Sequence, residues 1–98
     1  MIVRIVKMTL VPEKIQAFEE MFNERKQRIR DFDGCRHLEL WQDVKQTNVF
    51  FTYSHWASEE HLNHYRFSEF FKETWGITKA MFSDKAEAWS VLQKDTTF

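Results

Sequence analysis

One Pro and two Gly occur in the 98 residues, and two of these three, Pro12 and Gly34, bracket a run whose apolar side chains recur at a helical interval. Ile15, Phe18, Met21, Phe22, Ile29 and Phe32 share one side, while Glu19, Glu20, Glu24, Lys26 and Arg30 fall elsewhere. That spacing specifies an amphipathic helix of roughly four to five turns. Pro12 suits the first turn, where a missing N–H is no loss. Gly34, in "DFDG", is free to take the left-handed conformation that closes a helix. An apolar helical stripe must be buried against a second layer, so the remaining segments are read for one.

Residues 2–11 carry aliphatic and β-branched side chains on both alternating faces, the pattern of a central strand covered on both sides. "CRHLELWQD" and "NVFFTYSHW" read as two further strands joined through "VKQT" as a hairpin. With the turn centred on Lys45 and Gln46, one face carries Leu38, Leu40, Val49, Phe51 and Tyr53. The other carries His37, Glu39, Trp41, Phe50, Thr52, Ser54 and Trp56, and a slip of one residue would exchange the faces of one strand. Ser58 with Glu59 and Glu60 opens a short helix reaching about Arg66, and Ser68 with Glu69 opens a longer one through Phe82. Gly76 inside that helix costs about 1 kcal/mol against Ala, which close packing would explain. "AEAWSVL" is the last strand.

The order β-α-β-β-α-β, its second helical part in two pieces, is the ferredoxin-like α+β arrangement: helices on one face of a four-stranded antiparallel sheet. Residues 1–98 are expected to form one domain. Its uncovered sheet face calls for a partner, and a second copy is the simplest one.

Composition narrows the function classes. The chain is 43% apolar and 30% charged, with an aromatic share of 16%. Fourteen basic and fifteen acidic residues are interspersed, so there is neither a basic stripe for nucleic acid nor a polybasic membrane anchor. A single cysteine, Cys35, cannot form an internal disulfide and favours a reducing compartment, with the cytoplasm as the default. It follows the Gly34 turn without a basic neighbour in immediate sequence, as a buried structural thiol would. The apolar N-terminus is interrupted by Arg4 and Lys7 and reads as a strand, not a signal peptide.

Aromatic residues concentrate in "WASEEHLNHYRFSEFFKETW", Trp56 to Trp75, which holds two Trp, two His, one Tyr and three Phe. Phe67, Phe71, Leu62 and Trp75 are expected to build core there. The run "FFTYSHWASEEHLNHYRFSEFF", the length and the element order resemble the antibiotic-biosynthesis-monooxygenase family of dimeric α+β barrels. The family pattern is a strand ending in Trp, a Ser-acidic helix start, a His nine residues after the Trp, then a Ser. Trp56, Ser58, Glu59, Glu60 and Ser68 match; the ninth residue is Tyr65, with His64 beside it.

The resemblance implies a homodimer with a cleft between sheet and helices in each subunit. Some members oxygenate electron-rich polycyclic phenols without metal or flavin. The deprotonated substrate itself reduces O₂, and the protein supplies a base, an apolar slot and oxyanion stabilisation. A haem-degrading branch uses an Asn, a Trp and a His. The matching positions here are Val6 or Lys7, Tyr65 and Trp75, which keep none of the three and cannot ligate iron through Trp75.

Transferred to this chain, the resemblance suggests a cofactor-independent monooxygenase acting on a planar, electron-rich phenol or quinol. His64 or His37 is the candidate base, Tyr65 the oxyanion donor, and Trp56 and Trp75 the cavity walls. Each has a plainer reading: a solvated imidazole, a half-buried core phenol, core indoles. His37 beside Glu39 lines either the cleft or the dimer interface, depending on which sheet face the helices cover. His61 and His64, three apart, could join His37 or His55 on a metal, but lack carboxylate or cysteine partners at recognisable spacing. The rival functions are a non-catalytic ligand-binding or assembly domain, and a cofactor-free isomerase or decarboxylase of the same fold.

Overall fold

The computed structural model describes residues 1–97. Strand β1 (Ile2–Thr9) leads through a 3-10 turn at Pro12–Lys14 into α1 (Ile15–Arg30). Strands β2 (Cys35–Gln42) and β3 (Val49–Trp56) follow, then α2 (Glu59–Arg66), α3 (Glu69–Lys79) and β4 (Glu87–Val91). The sheet is antiparallel in the order β2-β3-β1-β4, which puts β1 and β3 at its centre. This is the ferredoxin-like fold expected from the element order.

Local chemistry sets the boundaries. Gly34 has φ 84°, and its carbonyl accepts the Ala57 N–H at 2.8 Å. The Ser58 hydroxyl accepts from the His61 N–H at 3.2 Å and the Ser68 hydroxyl from the Phe71 N–H at 3.1 Å, so both helices start at the serines that signalled them. The longer helix stops at Lys79, before Met81 and Phe82. Phe82 instead bridges to Leu10 beyond the end of β1. Nothing lies within 4 Å of a Cβ placed on Gly76, so the close packing expected there is absent.

The hairpin register differs by one residue from that expected. Leu40 pairs with Thr52 and Leu38 with Ser54, because the loop is longer than a turn centred on Lys45 and Gln46 would make it. Asp43 Oδ2 accepts the Lys45 and Gln46 N–H groups at 3.0 and 2.7 Å, and Val49 N–H closes on the Gln46 carbonyl at 2.9 Å. A β-bulge between Cys35 and His37 adds a second irregularity. Leu38 and Leu40 therefore share a face with Phe50, Thr52, Ser54 and Trp56, while His37, Glu39 and Trp41 share the other with Phe51, Tyr53 and His55.

The helices cover the first of these faces. Met8, Leu10, Phe18 and Phe50 form one buried cluster, and Cys35, Trp56 and Leu62 form another. On the second face, Trp41, Trp89 and Val91 remain 40–43% exposed. Phe67, expected in the core, is 69% exposed. It is the C-cap of α2, where the chain turns toward Ser68 and the apolar stripe of the helix has ended.

Candidate functional site

Between the sheet and the helices the two buried clusters do not meet completely, and a cavity of about 320 Å³ remains. That lies at the small end of the range for ligand pockets. β1 and β3 supply its floor through alternate residues, among them Arg4, Val6, Thr52, Ser54 and Trp56. α1, α2 and α3 form the roof, and Ala86 and Ala88 reach it from the β4 side. Every residue of β4 is exposed, so the cavity opens on that side.

Aromatic rings line one wall in sequence. Trp56 stacks on Tyr65 (centroids 4.9 Å, 22°), Tyr65 meets Phe71 edge-on at 5.0 Å, and Phe71 stacks on Trp75 at 5.8 Å. Trp56 is fixed by its Nε1–H, which donates to Ser54 Oγ at 3.0 Å. Phe32 closes on Tyr65 from behind at 5.0 Å, 70°. Offset and edge-to-face contacts of this kind hold rings in defined orientations. The wall is a continuous run of packed rings whose planes turn by 73° between Tyr65 and Phe71.

Tyr65 is the polar group set into that wall. Among the described residues its hydroxyl has no protein partner, and no buried side-chain N or O is left unpaired. The hydroxyl therefore has accessible space, which the cavity supplies. Burial, and secondarily the Cys35 thiol, push its pKa far above that of a free phenol. Tyr65 is thus a proton-bearing hydrogen-bond donor at all ordinary pH values.

The expected site residues divide cleanly by position. Tyr65, Trp56 and Trp75 line the cavity. His64 does not: it is one residue before Tyr65, about 100° around the helix, exposed and near Phe32 at 6.2 Å. His37 lies on the opposite sheet face. It bonds to Glu39 there, with His55 at 5.2 Å and Tyr53 at 6.0 Å between ring centroids. Glu39 also accepts the Trp41 indole N–H at 2.8 Å, and Trp41 stacks on Tyr53 at 4.5 Å. The histidine–glutamate pair is thus part of an aromatic patch on the uncovered face. His61 Nδ1 is 2.7 Å from Ser58 Oγ, and among the described residues no three of His, Cys, Asp and Glu converge as metal ligands would.

Three cavity residues carry no motif and were not among the sequence candidates: Arg4, Arg25 and Arg66. Arg25 ties α1 to α3, donating to Thr74 Oγ1 and Glu73 Oε1 at 2.9 Å each. Arg4 was legible only as an interruption in an aliphatic strand.

The sequence profile of the family described as "Antibiotic biosynthesis monooxygenase" matches residues 1–75, which contain β1 through α2, most of α3 and the whole aromatic wall. The chain belongs to the antibiotic biosynthesis monooxygenase family. Its fold recurs in solved structures of low sequence identity. A conserved protein from Methanosarcina mazei Go1 superimposes with a TM-score of 0.88 at 21% identity, over 96% of this chain and 94% of the other. For a structure described as an antibiotic biosynthesis monooxygenase the values are 0.90 and 18%, over 97% and 100%. For Rv0793 of Mycobacterium tuberculosis they are 0.88 and 14%, over 99% and 98%. No curated protein matches the chain. Membership in the antibiotic biosynthesis monooxygenase family suggests monooxygenase activity on a small molecule. Among the described residues no helix is long and apolar enough to cross a membrane.

Proposed function

We propose that the protein is a cofactor-independent monooxygenase whose substrate is a planar, electron-rich phenol or quinol. The observation that carries this reading is the aromatic-walled cavity with one phenolic donor, Tyr65, in its lining. Trp75 meets the substrate ring, Trp56 backs the wall behind Tyr65, and Tyr65 donates to the oxygen on which negative charge develops. The ionised substrate passes electrons to O₂. One oxygen atom ends as a new ring carbonyl and the other leaves as water with two hydrogens from the phenol, so each O₂ gives one quinone. Neither His64 nor His37 lines the cavity, so the substrate proton leaves to solvent at the open β4 side.

Oxygen uptake with 1-naphthol tests this. Catalysed uptake matching 1,4-naphthoquinone formation is expected, with kcat lower by about a hundredfold in Tyr65→Phe, the usual scale for losing one oxyanion donor. A panel of phenols and quinols that bind without consuming oxygen would sink the reading in favour of a ligand-binding, isomerising or decarboxylating role.

The protein acts as a homodimer joined through the uncovered sheet face, in a reducing compartment that suits its free, buried Cys35. Support comes from the exposed Trp41, Trp89 and Val91 on that face, an apolar set that a monomer gains nothing by presenting. Analytical ultracentrifugation should give twice the 12.0 kDa chain mass, and Trp41→Glu should return it to the monomer. A wild-type protein that sediments as a monomer at micromolar concentration removes the dimer.

A further inference from the structure

Two of the three cavity arginines are uncompensated. Arg25 has a carboxylate partner, Glu73 at 2.9 Å. Arg4 has only the Ser90 hydroxyl, which it reaches through Nη1 at 2.9 Å, leaving most of its five donors unused. Among the described residues neither Arg4 nor Arg66 forms an ion pair, and no Asp or Glu lines the cavity. Burial, and then the nearby charge of Arg66, hold the Arg4 guanidinium below its ordinary pKa. Two like charges lining one apolar space repel each other, and an anion placed between them relieves that repulsion. The chain as a whole carries a formal charge of −1, so this local excess is not a by-product of a basic surface.

Position matches charge. Arg4 projects from β1 into the cavity beside the exposed β4, and Arg66 follows Tyr65 at the exposed end of α2. Both line the cavity and both keep solvent access, Arg66 the more exposed of the two.

We propose that the cavity selects a planar aromatic oxyanion, its ring against Tyr65 and Trp75 and its charged oxygen between the guanidiniums of Arg4 and Arg66. This rests on the cavity being the substrate site and narrows the class it accepts. A guanidinium pair can receive a carboxylate bidentately. It also favours the ionised form of a phenol, and so supplies by electrostatics what a general base would otherwise supply.

Calorimetry with 2-naphthoate and its neutral counterpart 2-naphthamide tests the charge preference without turnover. The naphthoate should bind more tightly by about tenfold or more, as charge-assisted hydrogen bonds require. Arg66→Gln should cut that ratio severalfold with little change for naphthamide, and Arg4→Gln should do the same. Arg66 is exposed at a helix end, so its variant stands even if the strand variant fails to fold. Equal affinities in the parent protein, or a preference that survives both substitutions, overturn the proposal. Absorbance titration of bound 4-nitrophenol separates the sources of the oxyanion. A lowered phenol pKa admits phenolates; an unmoved one, with the naphthoate preference intact, restricts the ligand to carboxylates. A protein that prefers naphthoate but never consumes oxygen keeps this inference and loses the monooxygenase reading. One that oxygenates 1-naphthol without any anion preference does the reverse.

Discussion

Gly34→Ala should lower stability by about 3 kcal/mol, read as a fall in the urea midpoint. Two separable effects contribute. The residue sits at φ 84°, where a Cβ costs about 1–2 kcal/mol. That Cβ would also lie 2.3 Å from His61 Cγ and 2.4 Å from His61 Cβ, an overlap of the kind that costs about 1–3 kcal/mol in packed regions. A second substitution divides them: in a His61→Gly background, which removes the Cβ as well as the ring, the overlap disappears and only the backbone strain is left. Equal midpoints for parent and Gly34→Ala would show that the turn does not hold the start of α2 as described. The effect also reaches the cavity, because α2 carries Tyr65 and Arg66 and is seated at its N-terminus on this turn.

Trp56→Ala should cost about 3–5 kcal/mol, the range for removing a large buried aromatic. Trp56 is 1% exposed, donates to Ser54 and supports the Tyr65 ring. Truncation leaves Ser54 Oγ without its donor and frees Tyr65 on one side. Trp56→Phe retains much of the packing and gives up the hydrogen bond, worth about 1 kcal/mol. Thermal unfolding of the three proteins should therefore order parent, Phe variant, Ala variant, with the larger gap before Ala. A small Ala penalty would mean that the wall collapses to refill the space, and the cavity would then be narrower in that variant.

The parts of the fold that were legible in the sequence have strong local determinants. The α1 stripe, the two serine caps and Gly34 each specify a backbone state without help from distant residues. The register of β2 against β3 is different in kind. Both strands alternate acceptably on either face, so the choice falls to loop chemistry: the Asp43 side chain caps the turn and lengthens it. A one-residue change there moved Tyr53 and Phe51 from the leucine face to the face of His37. Phe67 misleads for a related reason, since helical spacing carries no information past the residue where α2 ends.

In the candidate site, the aromatic wall was visible as density in one segment, and Tyr65 as the residue at a family position. The arginine pair was not visible. Arg4 on β1 and Arg66 on α2 are far apart in the chain and share only the cavity that the folded sheet and helices enclose. A charged residue within an aliphatic strand was the single available sign, since a central strand tolerates it only where one face meets a polar or hollow space.

Alternation along β3 has an evolutionary corollary. Ser54 and Trp56 point to the cavity while Tyr53 and His55, their immediate neighbours in the chain, point to the opposite surface. Cavity lining and uncovered outer face are thereby written in alternate letters of one eight-residue word. Mutational drift in either can proceed without rewriting the other, which makes this strand a natural place to reshape the cavity behind an unchanged outer face.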